Sequence, residues 1–201
     1  MGDAEVARVI GLHRTLALAA LILGGAAAAS ESMGPEWTTA VELAERIKGG
    51  QPTEVLDLRS AEEFQRFHVP SAVPATLGDL IDSPLPKSAS IVLYGDDSAR
   101  VAQAWALLRM RGYRHVAYMR QGLYEWIARV HEPALAVDAT AAERAEFDRL
   151  AALSRYFGGQ PRLDVPRAAL PAGYWRAGGD IGSRPSVETA LLVAAIRRRG
   201  C

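Results

Sequence analysis

The sequence IVLYGDDSAR, residues 91–100, joins an apolar run to a polar loop. Residues Ser90–Tyr94 are rich in β-branched and other apolar side chains, which predicts a short buried strand. A helix is predicted directly after it, over Ser98–Arg111, and Gly112 ends that helix. A strand that leads straight into a helix is typical of parallel α/β proteins. In such proteins the connecting loop lies at the carboxyl ends of the strands, where ligands bind.

The same alternation continues on both sides of this stretch. The pattern predicts further strands at Glu54–Leu58 and His115–Met119, and an extended segment over His68–Leu77. The predicted helices are Ala40–Lys48, Ala61–Arg66 and Gly122–Arg129, with one helical turn at Leu77–Ile81. Thr39 and Glu42 have the spacing of a capping box at the start of the first helix, and Ser60 caps the second. We therefore predict an α/β fold with about five mainly parallel strands and helices on both faces.

Four segments together resemble the rhodanese (sulfurtransferase) family. They are the loop at 91–100, DLRS at 57–60, HVP at 68–70 and GLYEW at 122–126. The resemblance covers residues 37 to about 130, and it predicts a rhodanese-like domain over residues 37–131. The family's loop normally opens with a cysteine whose thiolate accepts a sulfane sulfur and passes it to a nucleophile. Gly95 holds that position here, and the one cysteine of the chain is Cys201.

The resemblance thus implies a domain whose loop has no catalytic residue, because glycine has no sulfur to carry the transferred atom. We predict that such a domain is a binding or regulatory module for an unknown protein or a small anionic ligand. The candidate pocket residues are Gly95, Asp96, Asp97, Ser98, Ala99 and Arg100 of the loop, with Asp57 and Arg59 from the neighbouring strand end.

Three interpretations of these polar residues stay open at the level of sequence. In one, Asp97 or Ser98 merely caps the following helix and Arg100 pairs with that cap. In another, Arg59 and Arg100 remain as a degenerate ligand pocket. In the third, Asp57, Asp96 and Asp97 converge on a hard cation such as Mg²⁺. We predict no metal and no cofactor, because the resemblance implies that Asp57 fixes the loop around Arg59.

Two other motif residues have expected roles in the structure. The resemblance implies that His68 is a buried hydrogen-bonding residue rather than a catalyst. Trp126 is expected in the core.

Composition limits the function classes. The chain has 201 residues, a formal net charge of zero and 49% hydrophobic residues, so a buried core is expected and extensive disorder is not. The one dense basic cluster in the sequence is Arg197–Arg199, so no nucleic-acid partner is predicted. A single cysteine excludes a disulfide within the chain and a zinc site built from several thiolates.

Residues 1–29 are predicted to be a targeting segment. Arg8 and Arg14 precede the apolar run Thr15–Ala29, which reads as a secretory signal cleaved after Ala29 or as a retained membrane anchor. Residues 30–36 are the predicted linker. The domain is therefore expected outside the cytoplasm, in the periplasm or anchored to a membrane, with membrane contact only through this segment.

Residues 138–201 form a predicted helical C-terminal extension beyond the resemblance. We predict helices over Ala139–Phe157 and Pro185–Arg199, with a loop between them that packs through Tyr174 and Trp175. Cys201 has three interpretations. It is an incidental terminal residue, it forms a disulfide-linked dimer, or it substitutes for the missing loop thiol in a sulfurtransferase or redox protein.

Overall fold

The computed structural model describes residues 36–171 and 173–175, all within one compact unit. Its centre is a five-stranded sheet in the order β1-β5-β4-β2-β3, and every neighbouring pair is parallel. The strands are β1 (Glu36–Thr38), β2 (Glu54–Asp57), β3 (Ala72–Pro74), β4 (Ser90–Tyr94) and β5 (His115–Met119). The predicted α/β fold with a mainly parallel sheet is confirmed.

The helices return the chain between the strands. They are α1 (Ala40–Lys48), α2 (Ala61–Arg66), α3 (Leu77–Ile81), α4 (Ser98–Met110), α5 (Gly122–Glu125) and α6 (Ala141–Tyr156). Four of these helices begin with a capping box, at Thr39, Ser60, Thr76 and Thr140. In each box the capping hydroxyl accepts the backbone N–H of the residue three positions later, and the carboxylate of that later residue accepts the backbone N–H of the capping residue. The bounds predicted for α1, α2 and α3 are confirmed.

The core lies on both faces of the sheet, because side chains alternate along each strand. Val55, Val92 and Tyr94 point to the face covered by α1 and Trp126. Leu56 and Leu93 point to the opposite face, which α3 and α4 cover. Trp126 is fully buried, as predicted.

Since all five strands run in one direction, the sheet has two distinct edges along the strand axis. We call the edge at which the strands end the loop edge; the 95–97 loop follows β4 there. We call the edge at which the strands begin the start edge. The crossover helices run back, so α1 and α4 begin at the loop edge and end at the start edge.

Two elements of the main domain differ from the prediction. The edge strand β1 was not predicted, and its first residue, Glu36, falls inside the predicted linker. The predicted helix Gly122–Arg129 is α-helical only to Glu125 and continues as a π-helical turn over Trp126–His131. Neither change has a local signal, because strand pairing and the widened helix both depend on tertiary packing.

The C-terminal region is more regular than predicted. A second, two-stranded parallel sheet pairs β6 (Ala134–Ala136) with β7 (Arg162–Val165). No element was predicted for β6, and β7 lies in the segment predicted as loop. The strand β7 contains an irregularity at Asp164, whose φ is 55°, so its sequence lacks the alternation that predicts a strand. The predicted helix Ala139–Phe157 is present with narrower bounds, as α6.

The C-terminal region packs on the main sheet's helices through α6, which contacts α1 and the π-helical turn. Tyr174 is buried, as predicted for this loop; its hydroxyl donates to the Ala128 carbonyl at 2.6 Å and accepts from the Ala134 N–H at 2.8 Å. Ser154 donates to the carbonyl of His131 at 2.7 Å, near the end of the π-helical turn.

Three predicted features lie outside the described residues: the leader 1–29, the helix Pro185–Arg199 and Cys201. Among the described helices, none is both long and apolar enough to cross a membrane.

Candidate functional site

A buried ion pair between Asp57 and Arg59 lies at the loop edge. Both side chains are at most 1% exposed. The guanidinium binds in a fork, with Nε to Oδ1 at 3.0 Å and Nη2 to Oδ2 at 2.6 Å. The backbone N–H of Arg59 donates to the same carboxylate at 2.9 Å. Sequence places these residues together because Asp57 ends β2 and the chain turns at once into α2.

Two further groups complete this pair. Tyr94, at the end of β4, donates its hydroxyl to Asp57 Oδ2 at 2.6 Å and accepts the Val69 N–H at 3.2 Å. Arg59 also donates from Nη2 to the carbonyl of Phe67 at 2.7 Å. The pair therefore joins β2 and β4 to the segment before β3, which is a bracing role, and it leaves Nη1 of Arg59 buried without a hydrogen bond.

Electrostatics in this network follow from burial and charge. Burial by itself lowers the pKa of Arg59, but the hydrogen bonds and charge of Asp57 outweigh it and raise that pKa above its usual range. Burial and the hydrogen bond to Asp57 raise the pKa of Tyr94 well above its usual range. Arg59 and Tyr94 are thus held in their protonated forms beside the Asp57 side chain.

The loop itself is short. Asp97 is the N-cap of α4, and its Oδ1 accepts the N–H groups of Ala99 at 2.9 Å and Arg100 at 3.3 Å. Ser98 is already the first helical residue, and the side chains from Asp96 to Arg100 are exposed. The predicted capping of α4 by Asp97 is confirmed. The guanidinium of Arg100 reaches the carbonyl of Leu58 at 3.4 Å rather than pairing with Asp97.

Gly95 lies in a crowded position. A Cβ at this residue would lie 3.2 Å from Val101 Cγ2 and 3.4 Å from Leu58 Cβ, so a side chain would be aimed at apolar neighbours. The backbone of Gly122 packs closely against the backbone of Gly95. A Cβ atom on residue 122 would lie 2.8 Å from the Gly95 carbonyl oxygen. Gly122 has a φ of 54°, which also favours glycine.

The alternative metal site is not formed by the residues proposed for it. Asp57 is bound to Arg59 and Tyr94, and Asp97 is bound to the start of α4. Asp96 interacts with Glu63: burial acts to raise the pKa of Glu63, and a hydrogen bond with Asp96 is among the contacts that lower it. The charge of Asp96 also acts on Arg59. Throughout the described residues, no three carboxylate, imidazole or thiol groups gather as a metal centre would require.

His68 is not where the resemblance implied. It is exposed, its ring stacks on Phe64 with centroids 4.0 Å apart, and Nδ1 lies 2.9 Å from the Phe64 carbonyl. The expected buried hydrogen-bonding role is wrong. In this chain Tyr94 and Arg59 supply the buried hydrogen bonds to that segment.

A buried acid that the sequence analysis did not single out lies near this edge. Glu125 is 2% exposed and accepts the N–H of Ala40 at the start of α1. Burial raises its pKa to about 7, although that hydrogen bond and the charges of Arg129 and Arg120 act in the opposite direction. A charged residue between Tyr124 and Trp126, in an otherwise apolar motif, was the available signal.

Comparison with known proteins agrees with this architecture. A family model described as "Rhodanese-like domain" matches residues 39–129. A protein of Allochromatium vinosum named "Sulfurtransferase" is 30% identical over 86 residues, which are 42% of this chain and 80% of that protein.

Similar solved structures include two of the Alr3790 protein from Anabaena sp. A crystal structure is 33% identical, with 44% of this chain and 83% of that chain covered and a TM-score of 0.42. An NMR structure of its rhodanese-like domain is 30% identical, with 54% and 92% covered and a TM-score of 0.42.

Proposed function

Since the chain belongs to the rhodanese-like domain family, we propose that it is a catalytically silent, exported member that acts as a binding or regulatory module through its Gly95–Arg100 loop. The observation that carries this proposal is the residue at the loop's first position, where glycine stands in place of the family's sulfur-carrying cysteine. Sulfur transfer through a persulfide needs a thiolate at that point, and Gly95 supplies no atom that could replace it.

Besides the missing cysteine sulfur, the surroundings of Gly95 also support a lack of sulfurtransferase activity. A side chain at this position would begin 3.2 Å from Val101 and 3.4 Å from Leu58, both apolar. An apolar environment raises the pKa of a thiol and so disfavours the reactive thiolate. A cysteine placed here would therefore be a poor nucleophile.

The start of α4 gives a second line of support. Backbone N–H groups at a helix start can hold an anion, because they have no partner within the helix. Here Asp97 already accepts the N–H groups of Ala99 and Arg100. A small anion would have to displace this carboxylate and lie beside Asp96 as well. The exposed loop is thus better suited to a protein partner than to a small anion.

Sulfur transfer from thiosulfate to cyanide by the purified full chain tests the proposal. We expect the wild type and Cys201→Ser to show no rate above the uncatalysed reaction. A wild-type rate that vanishes in Cys201→Ser would overturn the proposal and establish the alternative, an enzyme that uses Cys201. The name of the Allochromatium vinosum relative and the presence of a single thiol favour that alternative.

Gly95→Cys distinguishes two possibilities. Either the loop no longer has a geometry that supports sulfur transfer, or it has that geometry and lacks only the cysteine. The matched control is Gly78→Cys, where a Cβ meets only Thr76 Oγ1 at an ordinary 3.5 Å. We expect the two variants to transfer sulfur equally poorly. A rate in Gly95→Cys at least tenfold above that of Gly78→Cys would show that the loop still has a geometry that supports sulfur transfer. That result would contradict our expectation.

A further inference from the structure

The start edge carries a cluster of cationic side chains on the side of the sheet away from the loop. Residues 98–124 contain five arginines and no aspartate or glutamate. Three of these arginines, Arg109, Arg111 and Arg114, lie where α4 ends and β5 begins. Lys87 lies just before β4, and its Nζ is 3.8 Å from the ring centroid of Tyr113. We call Lys87, Arg109, Arg111 and Arg114 the basic cluster.

The cations of the basic cluster differ from several arginines elsewhere in the structure. Ion pairs with carboxylates occupy Arg59, Arg66, Arg129, Arg149 and Arg167. Within the described residues no carboxylate lies within 4 Å of any cation in the cluster, and all four side chains are exposed. These charges are therefore available to an external anion.

Part of the cluster has a structural role. Cations near a helix C-terminus stabilise its last carbonyls, and Arg109 donates to the carbonyls of Tyr113 and Arg114 just beyond α4. Lys87 and Arg114 lie outside the helix, so this role does not account for them. Glu36 and Glu54 begin the flanking strands β1 and β2, which places the basic cluster in the middle of the edge.

An apolar side chain lies within the cluster. Met110, between Arg109 and Arg111, is 79% exposed, more than any other large hydrophobic residue in the described part of the chain. An exposed apolar side chain surrounded by cations is typical of surfaces that bind anionic lipid, since the cations contact headgroups and the apolar group enters the interface.

The chain's own connectivity favours a bilayer over an acidic protein. The strand β1 begins at Glu36, next to Ala117 of β5, so the chain joins the sheet from the start edge. The apolar run Thr15–Ala29 precedes it by the six residues 30–35. The seven residue steps from Ala29 to Glu36 span at most about 25 Å. A membrane that held this run would lie within about that distance of Glu36.

From these observations we propose that the start edge binds the surface of an anionic lipid bilayer through Lys87, Arg111, Arg114 and Met110. In this orientation the loop edge points away from the membrane and is open to a partner. The proposal does not depend on catalytic silence, because it uses none of the loop residues.

Vesicle co-sedimentation of the full chain tests it. One set of vesicles is pure phosphatidylcholine, and the other contains about a third phosphatidylglycerol. The apolar run contributes to binding in both sets, so the readout is the ratio of the two partition coefficients. We expect Arg111→Gln/Arg114→Gln to lower that ratio by roughly thirtyfold, from a gain of about 1 kcal/mol for each cation at an anionic surface.

The matched control is Arg66→Gln/Arg144→Gln, which makes the same change in net charge away from the cluster and should keep the wild-type ratio. Met110→Ser should weaken binding to anionic vesicles severalfold even at high salt, because its contribution is apolar. Equal binding of the wild type to both vesicle sets would overturn the proposal. So would equal ratios for the two double variants, or retention on a polyglutamate resin without vesicle binding, which would indicate an acidic protein instead.

Discussion

The loop edge and the start edge of the sheet both carry charge, but they use it differently. At the loop edge most of the acids serve the fold: Glu42, Glu63, Asp79 and Asp97 accept N–H groups at helix starts, and Asp57 holds Arg59 in the interior. At the start edge the cations of the basic cluster have no carboxylate partner among the described residues.

The difference shows why position in the fold alone does not locate a binding surface. Ligands of parallel α/β proteins bind beyond the carboxyl ends of the strands. In this chain that edge is where polar groups satisfy one another, and the opposite edge keeps unpaired charge and an exposed Met110. From this contrast we expect substitutions at the loop edge to affect stability and substitutions in the basic cluster to affect binding.

The largest effect on stability is expected from Arg59→Leu. This substitution leaves the Asp57 carboxylate, which is 0% exposed, without its counter-ion. Removing one partner of a buried ion pair costs about 3 to 5 kcal/mol. The midpoint of urea unfolding measures the loss.

Arg66→Leu is the control for this change, since it breaks the ion pair with Glu62, in which both side chains are at least half exposed. We expect a loss below about 1 kcal/mol for it. A similar loss of stability for both substitutions would mean that the buried Asp57–Arg59 pair contributes no more to stability than an exposed ion pair. If Arg59→Leu does not fold, Tyr94→Phe tests the same network, because it removes the hydroxyl bond to Asp57 and should cost about 1 to 3 kcal/mol.

A smaller effect, visible as a pH dependence, is expected from Glu125. Its pKa of about 7 in the folded chain lies above the ordinary value of 4.5. The folded state therefore keeps a proton that the unfolded state loses between these values, and stability falls as the pH rises through this window. The full fall amounts to about 3 kcal/mol, from 1.36 kcal/mol for each pKa unit.

Glu125→Gln should remove the fall in the free energy of unfolding with rising pH that is due to this residue. The variant should therefore become more stable relative to the wild type as the pH is raised from 4.5 to 8. Thermal or urea unfolding at four pH values in that range measures it. The control is Glu36→Gln, an exposed glutamate on β1, which should follow the wild type. A difference between Glu125→Gln and the wild type that stays constant with pH would show that folding does not raise the pKa of Glu125.

The sequence predicted what depends on local pattern. The strands at 90–94 and 115–119, the capping boxes at Thr39 and Ser60 and the cap at Asp97 all follow from side chains within a few residues of one another. The parallel sheet followed from their alternation. Gly95 was noticed because a family resemblance assigned a cysteine to its position.

Features that depend on distant partners were missed or misassigned. The strand β1 forms because it pairs with β5, whose partner residues are 81 positions later in the sequence, and β7 forms because it pairs with β6. The exposure of His68 and the burial of Glu125 are likewise set by what packs against them. The basic cluster was not recognised because Lys87 and Arg114 are far apart in sequence and are brought to one edge only by the parallel sheet.

The smallest effect concerns a residue at the start edge that has no charge. Ser71 precedes β3 with a φ of 68°. A left-handed conformation costs an ordinary residue about 1 kcal/mol or more, whereas glycine adopts it freely. Ser71→Gly should therefore stabilise the chain by about 0.5 kcal/mol, after the larger entropy of glycine in the unfolded state is subtracted.

Asp164, with a φ of 55°, is the matched comparison, because aspartate adopts this conformation more readily than serine does. Asp164→Gly should gain less than Ser71→Gly, or lose stability, in urea unfolding. Since neither residue belongs to the basic cluster, both variants should also keep the wild-type preference for anionic vesicles. A Ser71→Gly variant that is less stable than the wild type would mean that contacts of the serine side chain outweigh its backbone strain. A loss of vesicle binding in that variant would mean that binding at the start edge also depends on the backbone conformation at Ser71, and not only on the exposed charges.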